Sequence, residues 1–163
     1  MSIVEARLNE LGLVLPAAAT PAGNYVGYTV VGNLVFVSGQ LPLRDGSMTV
    51  KGRVGETVDI EAAYQAARLC GLHLLAQLKS ALDGDLSRVK RVVRLGGFVC
   101  VAPDFFDAPK CINGASDLMV EVFGDAGKHA RFAVGVSTLP GMASVEVDAT
   151  FEILHHAHSN VTK

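Results

Sequence analysis

The sequence predicts an α+β domain: one mixed β-sheet with two main helices packed on one face, preceded by a short N-terminal helix. Three observations carry this. Two β-rich runs, YTVV and LVFVSGQLP, flank Gly32-Asn33, a good signal for a two-residue hairpin. Ile60, Ala63, Tyr64, Ala67, Cys70, Gly71, Leu74, Leu75 and Leu78 recur at helical spacing. The coarse order is hairpin, helix, strand, helix, two strands, so each helix follows a strand and precedes another. The sheet's other face stays substantially apolar and needs cover, for which sister subunits are the simplest candidate.

Each element has a local reason. Residues 2–11 pattern as a short helix with Val4, Leu8 and Leu11 on one face and Ser2 as its cap. Pro16, Pro21 and Gly23 break that pattern, and the chain is strand-like from Tyr25. Arg44 to Gly55, with Asp45-Gly46 and Gly52, is expected to be loop. The long helix is placed at about 57–81, with Gly84 ending it. The run VKRVVRLGGFVCVA is the next strand, in which Gly96-Gly97 suggests a bulge or a close backbone approach. A second helix runs from Asp104 to Phe123, its start drawn toward Ala108 by Pro109. Gly124 and Gly127 stop it, and two closing strands extend from Arg131 to about His155.

The length of 163 residues suits a single domain, 1–163, with an N-terminal extension at 1–22 and a C-terminal tail at 156–163. Half of the residues are hydrophobic, 18% are charged and the formal net charge is −2. With a mean hydropathy of +0.35, there is more apolar surface than a compact monomer readily hides. The small charge gives no pull toward nucleic acid or an anionic membrane. No apolar run is long enough for a membrane span, and MSIVEARLNELG has no basic segment before an apolar core. Cys70, Cys100 and Cys111 show no paired or zinc-type spacing. They are expected to be buried thiols in a reducing, cytoplasmic setting.

Residues His129 to Asp148 hold the most chemistry. Arg131 heads an alternating run, a Leu139-Pro140-Gly141 turn follows, and Glu146 sits in the second run. Read as neighbouring strands across a short turn, these put a guanidinium and a carboxylate within reach of one cleft. A guanidinium grips a carboxylate in a bidentate fork, and an acid can handle a proton or a water.

Four segments in order resemble the YjgF/RidA imine deaminases, which have a chorismate-mutase-like fold. They are Val37-Ser38-Gly39-Gln40, the helix 57–81 with the strand after it, Asn113 in CINGASDLMVEVFG, and Arg131 followed by Leu139-Pro140 and Glu146. The resemblance spans roughly Tyr25 to Ile153. It implies a homotrimer with clefts between subunits that hydrolyses reactive enamines and imines to 2-oxo acids and ammonia, with no cofactor or metal. By position, Arg131 would grip the substrate carboxylate, Glu146 would orient or activate water, and Tyr25 would shape the cleft. Gly39 would present backbone polar groups, with Ser38, Asn113 and the Ala133 amide also lining the substrate. This chain departs from the family at Gly23-Asn24-Tyr25-Val26, where a Gly-Pro-Tyr-Ser motif is usual. Ala133 stands for the family's cysteine and His129 for its proline, and the chain is longer at the N-terminus and after Val101. These features suit a divergent branch.

Other groups are weighed beside that reading. His155, His156 and His158 form an HHxH cluster at a frayed strand end, which favours tail over metal site. His73 is isolated, and His129 lies close enough to Arg131 to line a cleft rim. Arg88, Lys90, Arg91 and Arg94 form a basic cluster in which Arg91 opposes the others by strand parity. No interleaved aromatics accompany them, so a solvated edge or ion-pair strip outranks an RNA surface or an endoribonuclease. A non-catalytic trimer that binds small 2-oxo acids is the main alternative function.

Overall fold

A computed structural model describes residues 1–155 of the chain. Helix α1 (Ile3–Glu10) begins at a reciprocal cap: the Glu5 amide donates to Ser2 Oγ at 3.2 Å and the Ser2 amide to Glu5 Oε2 at 3.0 Å. Strands β1 (Tyr28–Val31) and β2 (Leu34–Gln40) form the expected hairpin, with Val31 opposite Leu34 and Gly32 at φ +60°. Tyr25 precedes β1 instead of belonging to it. The stretch read as loop holds a small hairpin, β3 (Leu43–Arg44) and β4 (Ser47–Met48). Asp45 and Gly46 both take positive φ, 51° and 77°, the geometry of a tight two-residue turn that Asp-Gly favours.

Helix α2 (Ile60–Ala81) starts three residues later than Thr57 because Asp59 caps it, accepting from the Ala62 amide at 2.8 Å. Strand β5 (Val89–Cys100) and helix α3 (Ala108–Phe123) follow, the helix starting where Pro109 fits its first turn. Strands β6 (Ala130–Val136) and β7 (Val145–Ile153) complete a five-stranded sheet in the order β1-β2-β7-β5-β6. The strands β6 and β7 are therefore not neighbours, which corrects the expected closing pair. Strand β6 runs parallel to β5 while β7 pairs antiparallel with both β5 and β2. A parallel pair needs a crossover, and α3 supplies it. Residues 137–144 then pass over the end of β5, where the Cys100 amide donates to Ser144 O and the Val101 amide to Val136 O.

The most buried sequence takes the middle of the sheet. Val145, Val147, Ala149 and Phe151 of β7 face the helices together with Val35, Val37, Val92, Leu95 and Val99, and α2 and α3 close over them. Leu8 of α1 belongs to the same core, and Arg7 Nε donates to Glu121 O on α3. The three cysteines are buried and free. Burial pushes the Cys111 thiol up to about 11, helped by Asp107, and burial raises Cys70 as well, so neither is a ready nucleophile.

The opposite sheet face carries Phe36, Phe98, Phe132, Val134 and Val136, with no helix among the described residues over them. Phe98 and Phe132 meet edge-on with centroids 5.2 Å apart, and Arg94 lies over the Phe132 ring at 4.8 Å. The two glycines in β5 serve close approach, while the register shifts of that strand fall at Val89/Arg91 and Val92/Arg94. A Cβ on Gly96 would strike Asp148 and the Phe132 ring, and one on Gly97 would come within 2.6–2.8 Å of three Ile112 side-chain atoms. Those Ile112 atoms include both γ-carbons, which are fixed directly to the Cβ, so the side chain has little freedom to yield. Gly97→Ala should destabilise the protein by about 1–3 kcal/mol through overpacking. Denaturant titration measures this, and most of the loss should vanish when the same change is made in an Ile112→Ala background.

Candidate functional site

The alternation of side chains along the sheet separates the two principal candidates. Arg131 pairs in register with Leu95, which faces the helices, whereas Glu146 pairs with Phe98 on the open face. With β5 between their strands as well, one chain does not bring the guanidinium and the carboxylate together. The candidates instead form two clusters.

The first cluster lies on the α3 side of the edge strand β6. Arg131 Nη1 donates to Asn113 Oδ1 at 2.9 Å and to Ser116 Oγ at 3.1 Å. Those two acceptors use both hydrogens of Nη1. Among the described residues no acceptor holds Nε or Nη2, so the side-on edge of the fork is free for a carboxylate. Ser116 Oγ lies 2.9 Å from His129 Nε2, and His129 Nδ1 lies 2.6 Å from Gly127 O. Ala133 follows on the same strand face and lines a groove with Phe105, Phe106, Ala108 and Pro109. As an edge strand, β6 leaves part of its backbone polar groups unpaired by the sheet.

The second cluster joins the β2 bulge to β7. The Glu146 carboxylate packs on Gly39, where a Cβ would displace it, and the β2–β7 register shifts between Val37 and Gln40. Ser38 Oγ donates to Val26 O at 2.7 Å and the Ser38 amide to Gly27 O at 2.9 Å. The hydroxyl thus fastens the loop that carries Tyr25, itself 59% exposed. Tyr25, Gly27, Ser38, Gly39, His73 and Gln77 line a cavity of about 170 Å³. The N-terminal segment closes over it through Gln77 Nε2, which donates to Ala19 O at 2.8 Å. His73 is not idle on its helix: its Nε2 donates to Leu43 O at 2.7 Å.

Of the residues that the sequence singles out, the structure puts Arg131, Asn113, Ala133 and His129 in one cluster and Tyr25, Ser38, Gly39 and Glu146 in the other; Ser116 is not among them. The signal was present, since Asn113 and Ser116 lie three apart on α3 and so share a face. The basic cluster resolves into ion pairs. Lys90 Nζ and Arg91 Nε both reach Glu152, at 2.8 and 2.6 Å, and Arg94 Nη1 reaches Asp148 at 3.4 Å. The expected opposition of Lys90 and Arg91 fails because the register shift at Val89/Arg91 lets both converge on one carboxylate. Arg88 lies in the single turn before β5 and not on the strand. His155 is at the end of the described chain, while His156, His158 and the tail 156–163 lie outside the described residues.

Burial raises the Glu146 carboxyl above its ordinary value, and the neighbouring charge of Asp148 adds to the shift. A raised carboxyl favours the folded state while protonated. That contribution is fully present below the ordinary carboxylate pKa and is lost as pH rises through the raised value. Glu146→Gln should therefore gain on wild type by about 1–3 °C in Tm between pH 4 and pH 7.5, a small effect because the group is half-exposed. Thermal melts across that range measure the gain, and a pH-independent difference would show that Glu146 ionises as it would in water.

Comparison with known proteins adds to this geometry. Residues 5–151 match the family model described as "YjgF/chorismate_mutase-like, putative endoribonuclease". The protein TCP17 of Trypanosoma cruzi is 49% identical over 92% of this chain and 94% of its own. A 2-iminobutanoate/2-iminopropanoate deaminase of Dermatophagoides farinae is 31% identical over 82% of this chain and 89% of its own. The crystal structure of a protein of unknown function from Agrobacterium tumefaciens superposes with a TM-score of 0.87 at 51% identity, covering 93% of each chain. The family-model match and the aligned fold place this chain in the YjgF/chorismate-mutase-like family.

Proposed function

We propose that the protein is a cofactor-free hydrolase of reactive 2-imino acids, working in clefts between the subunits of a homotrimer. The placement of Arg131 and Glu146 on opposite faces of one sheet carries this reading. A site that uses both groups needs the Arg131 cluster of one copy and the Glu146 cluster of another. The uncovered face with Phe36, Phe98 and Phe132 gives the copies apolar surface to bury. The kinship to a named imine deaminase at 31% identity points to the reaction class.

In this scheme the free Nε/Nη2 edge of Arg131 holds the substrate carboxylate, and Asn113 keeps the guanidinium in place. Tyr25, the Gly39 backbone and the Ala133 amide surround the reacting carbon, and Ser38 fixes the Tyr25 loop. Water adds to the C=N carbon as the Glu146 carboxylate takes one of its protons, and the carboxyl so formed delivers that proton to the nitrogen. Glu146 then takes the hydroxyl proton of the carbinolamine and passes it to the nitrogen as the C–N bond breaks, so that ammonia leaves and a 2-oxo acid remains. The raised Glu146 carboxyl suits both halves of this exchange, since it moves a proton with less mismatch to neutral pH. An imine is electrophilic already, so orientation and one proton carrier suffice. The free buried thiols fit a reducing cytoplasm, and no helix among the described residues is long and apolar enough to cross a membrane. Pairing of Lys90, Arg91 and Arg94 with carboxylates of their own chain weighs against an RNA surface.

Ammonia release from a 2-imino acid generated in situ by an amino-acid dehydratase tests the reading. The protein should accelerate it, and Arg131→Ala should lower kcat/KM by about 10- to 100-fold through loss of a charged hydrogen-bond pair. Impaired Arg131→Ala and Glu146→Gln chains, unfolded and refolded together at equal amounts, should rise to about a quarter of wild-type activity, because one cleft in four then has both groups. Wild-type protein without acceleration would overturn the reaction, and no recovery on mixing would overturn the shared cleft. Carboxylate binding without turnover would favour the non-catalytic trimer.

A further inference from the structure

With a neutral imidazole at His129, the hydrogen bonds behind Arg131 have one polarity only. A guanidinium can only donate, so Ser116 Oγ accepts from Arg131 Nη1 at 3.1 Å. A backbone carbonyl can only accept, so His129 Nδ1 carries the proton shared with Gly127 O at 2.6 Å. In the neutral imidazole Nε2 is then the acceptor, and the Ser116 hydroxyl hydrogen points to it across 2.9 Å. The chain therefore runs from Arg131 to Ser116 to His129 to the Gly127 carbonyl, in the turn Gly124–Gly127 that follows α3. Asn113 Oδ1 takes the second Nη1 hydrogen at 2.9 Å. An arginine side chain loses considerable rotamer freedom when it is held for binding. This chain of bonds holds it before any ligand arrives.

We propose that Ser116 and His129 are positioning residues for the carboxylate anchor: His129, acting through the Ser116 hydroxyl, sets the plane of the Arg131 guanidinium so that its Nε/Nη2 edge faces the substrate. The proposal rests on the reading of Arg131 as that anchor. It assigns a task to His129, which lies two residues before the arginine on the same strand approach, and to Ser116, whose side chain otherwise has no partner on the sheet. The effect belongs to carboxylate affinity. It should appear in KM and in product binding, and not in the proton transfers at Glu146.

The experiment uses the full chain with a 2-imino acid generated in situ, and 2-oxobutanoate as an equilibrium probe. Ser116→Ala and His129→Phe should each raise KM and the 2-oxobutanoate Kd about tenfold, the worth of one hydrogen bond to a charged group, with kcat within twofold of wild type. His129→Gln, which can restore an acceptor where Nε2 stands, should return both constants to within about threefold of wild type. Nitrogen-15 NMR of the wild-type imidazole at pH 8 should show the proton on Nδ1 of His129. The proposal is overturned if His129 carries its proton on Nε2 at that pH. It is equally overturned if Ser116→Ala binds 2-oxobutanoate as wild type does while Arg131→Ala does not, or if kcat falls and KM does not rise. Loss of nothing in Arg131→Ala would overturn the anchor itself, a separate result. Because Ser116→Ala removes only a hydroxyl, it keeps the test open should His129→Phe fail to fold.

Discussion

The pairing of β7 between β2 and β5 is the constraint on which the rest of the molecule depends. It gives the central place to a strand whose inward residues, Val145, Val147, Ala149 and Phe151, are all buried. It also sends β6 to the sheet edge, held on one side only by β5. From there the two-residue period of the pleat does the sorting. Residues opposite Leu95 face the helices, and residues opposite Phe98 face away from them. No rotamer change moves a side chain across a sheet, so the division of polar groups between the faces is a property of topology.

The two faces are built by different physics. Under the helices, aliphatic side chains interlock around the β5 glycines, and α3 approaches so closely that Ile112 lies on the Gly97 backbone. On the other face, aromatic rings and ion pairs share the surface: Arg94 lies over Phe132 while its guanidinium also meets Asp148. Near the start of β5, Glu152 collects Lys90, Arg91 and the Asn33 amide at the hairpin turn, joining the first hairpin to the sheet's middle. The cations of these pairs are exposed while the Glu152 carboxylate is buried, and the pairs lie where the strand register is irregular.

Much of this was legible in the residues. Gly32-Asn33 marked a turn because both flanks alternate, and Ser2 marked a helix start because Glu5 stands three residues on. The helical stripe from Ile60 to Leu78 placed α2, and Pro109 drew the start of α3 to Ala108. The strand order was not legible. Leu139-Pro140-Gly141 reads locally as a tight turn, yet the chain from Ser137 to Ser144 spans a neighbouring strand, and local chemistry carries no record of what passes beneath it. The Asp45-Gly46 hairpin was hidden because strands of two residues have no period to detect. At the candidate site, Arg131, Asn113 and Glu146 stood out by type and order. The part played by Ser116 depends on which helix face meets β6, which only the packing decides.

The opposite-face arrangement also has a consequence in mass action. Chemistry that draws on Arg131 and Glu146 together is not a first-order property of the folded chain, because each chain presents half of the required groups on each of two surfaces. Under the proposed shared cleft, such activity would fall on dilution below the dissociation constant of the assembly. On that proposal, the integrity of the site would be governed by association between copies, and hence by protein concentration, as well as by the folding energy of the core.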